Sequence, residues 1–184
     1  MSLHLSSPVL AVDLDGTLVR TDLLRRSALA LVRKRPWSAL YFPVWLLRGR
    51  AYLKHRIAEC VDLDATSLPY REDVLAFLRE QKAAGRELIL ATASNQKYAF
   101  QISEHLGIFS GVIASDESSN YKGTAKANAL IAICPDGVFD YLGDSGADLD
   151  VWSRARRALL VGPSLRLLQA VARQGEVERV FADR

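Results

Sequence analysis

Residues 9–19 read VLAVDLDGTLV, and this stretch decides the fold. Four apolar residues run directly into two aspartates, Asp13 and Asp15, with only Leu14 between them. Carboxylates are costly to hold at the end of a buried segment, so a pair of them there calls for a chemical use. Working outward, the apolar start of this stretch has four counterparts, at 87–91, 111–115, 138–142 and 158–161. Short runs rich in Val, Ile and Leu with polar boundaries read as strands covered on both faces. Helical patterns fill the intervals. Residues 71–84 set Val74, Leu75, Leu78 and Ala83 near one face and stop at Gly85, and residues 96–106 stop at Gly107. Thr124 opens a helix that runs through Leu130 to about Ile133, before Pro135, and Ser164 opens another over 165–172. Strands alternating with helices predict an α/β fold built on a doubly wound parallel sheet.

The segment from about residue 19 to 68 breaks the rhythm. It carries no strand signal, only helical stretches punctuated by Pro36, Pro43 and Gly49. We read it as a helical insertion, which divides the chain into a core of residues 1–18 and 69–184 and an insertion of residues 19–68. A chain of 184 residues has room for one domain and such an appendage. At 49% hydrophobic and 24% charged residues, it has the balance of a folded protein rather than a disordered or fibrous one.

The net charge of +3 conceals an asymmetry. Residues 20–56 hold ten Arg or Lys against a single acid, Asp22, so that segment is +9 and the remainder −6. Such a split predicts different neighbours for the two regions. Cys60 and Cys134 form no CxxC pair and read as reduced thiols of a cytoplasmic protein. The opening MSLHLSSP lacks the features of a secretory signal. The longest apolar stretch, PWSALYFPVWLL at 36–47, is interrupted by Pro43 and falls short of the roughly eighteen residues of a membrane span.

In doubly wound sheets, ligands bind beyond the carboxyl ends of the strands, where the strand order reverses. The polar residues of interest gather there. Asp13 and Asp15 follow the first strand, ATASN (91–95) ends the second, Lys122 precedes the helix before the fourth, and LGDSGADLD (142–150) follows the fourth. Asp13, Asp15, Asp144 and Asp148 in one cleft would repel one another by about 4 kcal/mol per close pair at an effective dielectric near 20. Either some of them are protonated or a cation sits among them. Oxygen ligands without His or Cys point to a hard ion, with Mg²⁺ the usual choice beside phosphate.

DLDGTL (13–18), the Thr of ATAS, a loop lysine and GDSGAD (143–148) resemble the four motifs of the haloacid dehalogenase superfamily, in that family's order and across essentially the whole chain. The resemblance implies a Rossmann-like core with strand order 3-2-1-4-5, a mobile cap, and Mg²⁺-dependent phosphoryl transfer through an aspartyl-phosphate. It implies Asp13 as nucleophile, Asp15 as acid and then base, Thr92 as donor to a phosphoryl oxygen, and a lysine that neutralises charge and restrains Asp13. Lys122 is the expected lysine, because KG before a helix leaves the side chain in the loop; Lys126 is the alternative. Asp13, Asp144 and the Asp15 backbone carbonyl would ligate Mg²⁺, with Asp148 a ligand or an anchor behind the ligands. Ser94 and Asn95 are further candidate substrate contacts, or simple caps of the next helix. Asp116 and Glu117 read as solvated loop carboxylates, and His4, His55 and His105 fall in no motif. A rival reading has the same rim sense a phosphorylated ligand without turning it over, as a regulatory or scaffolding domain.

The basic insertion is open to two readings. It is either a cap whose apolar face packs inward, or a surface whose aromatics, Trp37, Tyr41, Phe42 and Trp45 between RKR (33–35) and RGR (48–50), suit the face of an anionic membrane. No base-stacking motif points to nucleic acid. More narrowly, VDLDGTLVRTDLL, WLLRGRAYLK and GDSGADLDVW resemble the haloacid dehalogenase domain that precedes UbiA-type membrane prenyltransferases. That implies a phosphorylated small-molecule or lipid-linked substrate near the inner face of the membrane. An excised domain and a free-standing relative both remain open.

Overall fold

The computed structural model describes residues 7–183. Strand β1 (Val9–Val12) lies at the centre of a six-stranded, all-parallel sheet. It pairs on one side with β2 (Leu88–Asn95), which pairs with β3 (Gly111–Ser115). On the other side it pairs with β4 (Phe139–Gly143), followed by β5 (Arg157–Val161) and β6 (Glu176–Phe181). The order β3-β2-β1-β4-β5-β6 matches the order expected for five strands and adds a sixth. β6 eluded the sequence because EVERVF carries charge at three of six positions, the pattern of an exposed edge.

Side chains alternate across a strand, and that parity places the site. Leu10 and Val12 of β1, with Leu14 just beyond it, face helices α4 (Glu72–Ala83) and α5 (Gln96–Leu106), joining Val74, Leu78 and Ile102 in one core. Val9 and Ala11 face the opposite core with Ala127 and Leu130 of α6 (Thr124–Ile133), Trp152 of α7 (Leu149–Trp152) and Val171 of α8 (Leu165–Ala172). By the same alternation Asp13 falls on the α6 side, as does Tyr141 of β4.

Between β1 and α4 the chain is helical. It forms α1 (Leu23–Lys34), a 3-10 segment (Pro36–Tyr41), α2 (Phe42–Leu47), α3 (Arg50–Cys60) and a short 3-10 turn (Ala65–Ser67). Leu31, Ile57 and Val61 form a small core of their own, with Phe42 and Trp45 packed against it. Asp22 caps α1 by accepting from Arg25 N. No helix among the described residues is long and apolar enough to cross a membrane.

Candidate active site

The sheet reverses order at β1 and β4, and the carboxyl ends of these two strands flank a cleft of about 390 Å³. Asp13 and Asp15 enter it from the loop after β1, Ala93 and Ser94 from β2, Lys122 from the loop before α6, Lys126 from the first turn of α6, and Asp144 and Asp148 from the turn after β4. The turn after β1 depends on Gly16, whose φ is +79°; a Cβ there would stand 2.2 Å from Asp144 Oδ2. Only a residue without a side chain lets the two acidic loops approach so closely.

Lys126, on the inward face of α6 with Ala127 and Leu130, is only 2% exposed. Its ammonium donates to Asp13 Oδ1 and to the Tyr141 hydroxyl, both at 2.7 Å, and to Asp148 Oδ1 at 3.4 Å. Tyr141 passes the chain on, donating its own proton to Asp148 Oδ1 at 2.7 Å. All three ammonium protons are thereby placed. This corrects the expectation about the lysines: Lys122, the one foreseen, is exposed at the cleft wall, whereas Lys126 meets Asp13. The reason is helical phase, since α6 begins at Thr124 and turns position 126 toward the sheet. Tyr141 went unnoticed in the sequence, because an aromatic in FDYLG reads as ordinary strand core.

Asp15 accepts two hydrogen bonds, from Leu23 N at the start of α1 and from the Ser94 hydroxyl. Burial raises its pKa, and these two donors work against the rise. Thr92 is fully buried beneath Ser94, accepts from Ser94 N at 2.9 Å and does not line the cleft. Asn95 takes the capping alternative, accepting from Lys97 N at the start of α5, and also lies outside the cleft lining. Asp116 accepts from Ser118 N and Ser119 N within its own loop. Neither it nor Glu117, His55 or His105 lines the cleft, and His4 lies outside the described residues.

Asp13, Asp144 and Asp148 each offer an oxygen, and these oxygens lie within 4.8 Å of one another. Burial pushes the Asp13 pKa up to about 8 against the pull of Lys126, with Asp148 and Asp15 adding to the rise. Burial and Asp148 push Asp144 to about 6. Burial works to lower the pKa of Lys126, but Asp13 and Asp148 outweigh it and hold the group as an ammonium. One ammonium cannot balance three carboxylates in so small a volume.

An acidic rim at the reversal point of a parallel sheet, with a buried lysine gripping its central aspartate, marks a Rossmann-like domain with its polar site at the switch point. Residues 10–151 match the haloacid dehalogenase-like hydrolases, and the chain belongs to that family. It is 38% identical over 170 residues to the uncharacterized protein y4nM of Sinorhizobium fredii, covering 92% of this chain and 32% of that protein, so it spans about a third of its relative's length. A protein of unknown function from Bordetella pertussis Tohama I has a similar structure, with TM-score 0.68 and 17% identity over 94% of this chain and 97% of that one. An apo phosphoserine phosphatase is also similar, with TM-score 0.66 and 15% identity over 97% and 95% of the two chains.

Proposed function

We propose that the protein is a Mg²⁺-dependent phosphomonoester phosphatase that works through an aspartyl-phosphate on Asp13. The observation that carries this reading is the Lys126–Asp13 pair standing beside Asp15 in one cleft. A carboxylate attacks phosphorus without a base. Lys126 holds Asp13 Oδ1, and no hydrogen bond from the described residues engages Oδ2, which is left to attack. As the new O–P bond forms, the ester O–P bond breaks and the leaving oxygen takes a proton from the Asp15 carboxyl. A water then gives its proton to the Asp15 carboxylate and attacks phosphorus, releasing inorganic phosphate and restoring Asp13. Lys126 offsets charge on the phosphoryl group throughout, and Tyr141 with Asp148 fixes the ammonium in place.

The donor set fits a hard divalent cation: all oxygen, three carboxylates within reach, and a surplus of negative charge. Asp13 and Asp144 would hold the ion, joined by the Asp15 carbonyl that the family resemblance adds. Asp148, already committed to Tyr141 and Lys126, would anchor the site from behind. When bound, the ion supplies positive charge to the phosphoryl oxygens. Asp15 weighs against the rival sensing role, since a domain that only binds phosphate has no need of an acid beside the nucleophile.

The rest of the lining favours a compact substrate with a second anionic group. Arg20, Lys54 and Lys122 line the cleft beside Asp22, apart from the Asp13–Asp144–Asp148 cluster, and Leu24 is the largest apolar residue in the lining. Lys54 reaches over from α3 to donate to Ala93 O, and among the described residues no carboxylate pairs with it or with Lys122. Burial lowers the Lys54 pKa despite Asp15 and Asp22, the mark of a cation lacking its counter-ion. A lipid-linked phosphate, implied by the narrower resemblance, would meet only Leu24, Ala93 and Ala147 as apolar side chains in this lining. Phosphoserine, after which some structural neighbours are named, has the required carboxylate and belongs in the panel.

Hydrolysis of p-nitrophenyl phosphate tests the reading. Turnover should require Mg²⁺, stop with EDTA and vanish in Asp13→Asn. Turnover that survives in Asp13→Asn would overturn it, as would tight phosphate binding with no turnover of any ester in a phosphometabolite panel.

A further inference from the structure

The 3-10 segment Pro36–Tyr41 and α2 leave most of their apolar surface uncovered. Phe42 and Trp45, three residues apart, turn inward onto the Leu31–Ile57–Val61 core, and Trp45 stacks on Tyr41 with ring centroids 5.9 Å apart. The other side faces solvent. Trp37 is 78% exposed, Leu40 71% and Leu47 89%, with Tyr41 and Val44 also exposed, and α2 buries no residue at all. Monomeric soluble proteins rarely display so many large apolar groups in one short stretch without a use for them.

Basic residues rim this face. Arg33, Lys34 and Arg35 precede it, and Arg48 and Arg50 follow it. All five are exposed, and among the described residues none has a carboxylate within ion-pair distance. We infer that this face docks on an anionic lipid bilayer, with Trp37, Leu40 and Leu47 entering the interface and the five cations engaging the headgroups. The charge selects the occupant. A second copy of the chain would set five unneutralised cations against their own equivalents, whereas an anionic leaflet meets both the apolar face and its rim. Trp and Tyr prefer the headgroup level, and Arg and Lys reach polar groups while their stems lie on apolar surface. A helix of six residues lies on the membrane rather than crossing it.

None of these residues lines the cleft, so docking and hydrolysis can be tested apart. The protein should sediment with phosphatidylcholine vesicles containing about a third phosphatidylserine but not with phosphatidylcholine alone. Raising salt from about 0.1 M to about 0.5 M should release it, because screening shortens the attraction. Tryptophan emission should shift to the blue on the anionic vesicles, and Trp37→Ser should remove the shift. The double variant Trp37→Ser/Leu47→Ser and the triple variant Arg33→Glu/Lys34→Glu/Arg35→Glu should each weaken partitioning at least tenfold. Circular dichroism and the hydrolysis of a soluble ester should stay as in the wild type. Absence of sedimentation on anionic vesicles at low salt would overturn the inference, and so would a double variant that binds as well as the wild type. A dimer in sedimentation velocity that dissociates in the double variant, with no vesicle binding, would assign the face to a second copy instead.

Discussion

A buried lysine persists only where its charge and all its protons are answered, and Lys126 meets that condition through Asp13, Tyr141 and Asp148. Removing it strands two buried carboxylates. Lys126→Ala should therefore lower kcat by about a thousandfold and cost about 3 kcal/mol or more of stability. Lys122→Ala, at the exposed wall, should mainly raise KM. Steady-state kinetics and urea unfolding on the two variants would check this, and the reverse pattern would return the role to Lys122. Gly16→Ala should cost about 1–2 kcal/mol for its left-handed backbone and abolish activity by driving Asp144 aside. A Gly16→Ala enzyme with wild-type kcat would show that the loops are free to move apart. The two aspartates of DLDGT were legible because nothing in a strand's physics explains them. Lys126 was half legible: it sits four residues before Leu130, on the buried stripe of α6, but its partner appears only once Asp13 and α6 are known to share a side of the sheet. Tyr141 was not legible, since its value lies in where its hydroxyl points.

Elements covered on both faces announce themselves through uninterrupted apolar sequence, and five of the six strands did so. β6 borders solvent along one edge and reads as polar, yet it is anchored at its end, where Phe181 meets Phe77 edge-on at 5.4 Å between ring centroids. Phe181→Ala should destabilise the fold by about 3 kcal/mol through the cavity it leaves. It should spare kcat, because no β6 residue lines the cleft. Urea unfolding beside assays at saturating substrate would test both halves, and a matching fall in kcat would tie β6 to the chemistry. The extent of β2 was also missed. Its strand runs on to Asn95, through the ATASN that the sequence had placed at its end, with a register irregularity between Thr92 and Asn95. That continuation brings Ser94 up to Asp15 and withdraws Asn95 into the cap of α5.

At the scale of the whole molecule, the acidic cluster is a strain that a bound cation would relieve. Mg²⁺ at about a hundred times its Kd should add about 2.7 kcal/mol of stability, raising Tm by roughly 5–10 °C for a chain of this size. Thermal unfolding in matched ionic strength should show the rise, EDTA should reverse it, and Asp144→Asn should blunt it. A Tm indifferent to Mg²⁺ would leave the cluster without its cation. The charge asymmetry between residues 20–56 and the remainder was plain in the sequence. Which apolar residues of that basic segment turn outward was not, because Trp37 and Trp45 look alike until packing separates them.

The central position of β1 also bears on how the chain is made. Of the six described strands it is the first to be synthesised, yet its partners begin at Leu88 and Phe139. Until Leu88 is reached VLAV has no strand partner, its second edge waits for Phe139, and Asp13 waits for Lys126 and then Asp144. Pairings so distant in sequence form slowly. On refolding from denaturant, the helical signal should therefore return before hydrolytic activity does. An apolar strand kept waiting in the meantime is also the part of the nascent chain that most needs shielding from its neighbours.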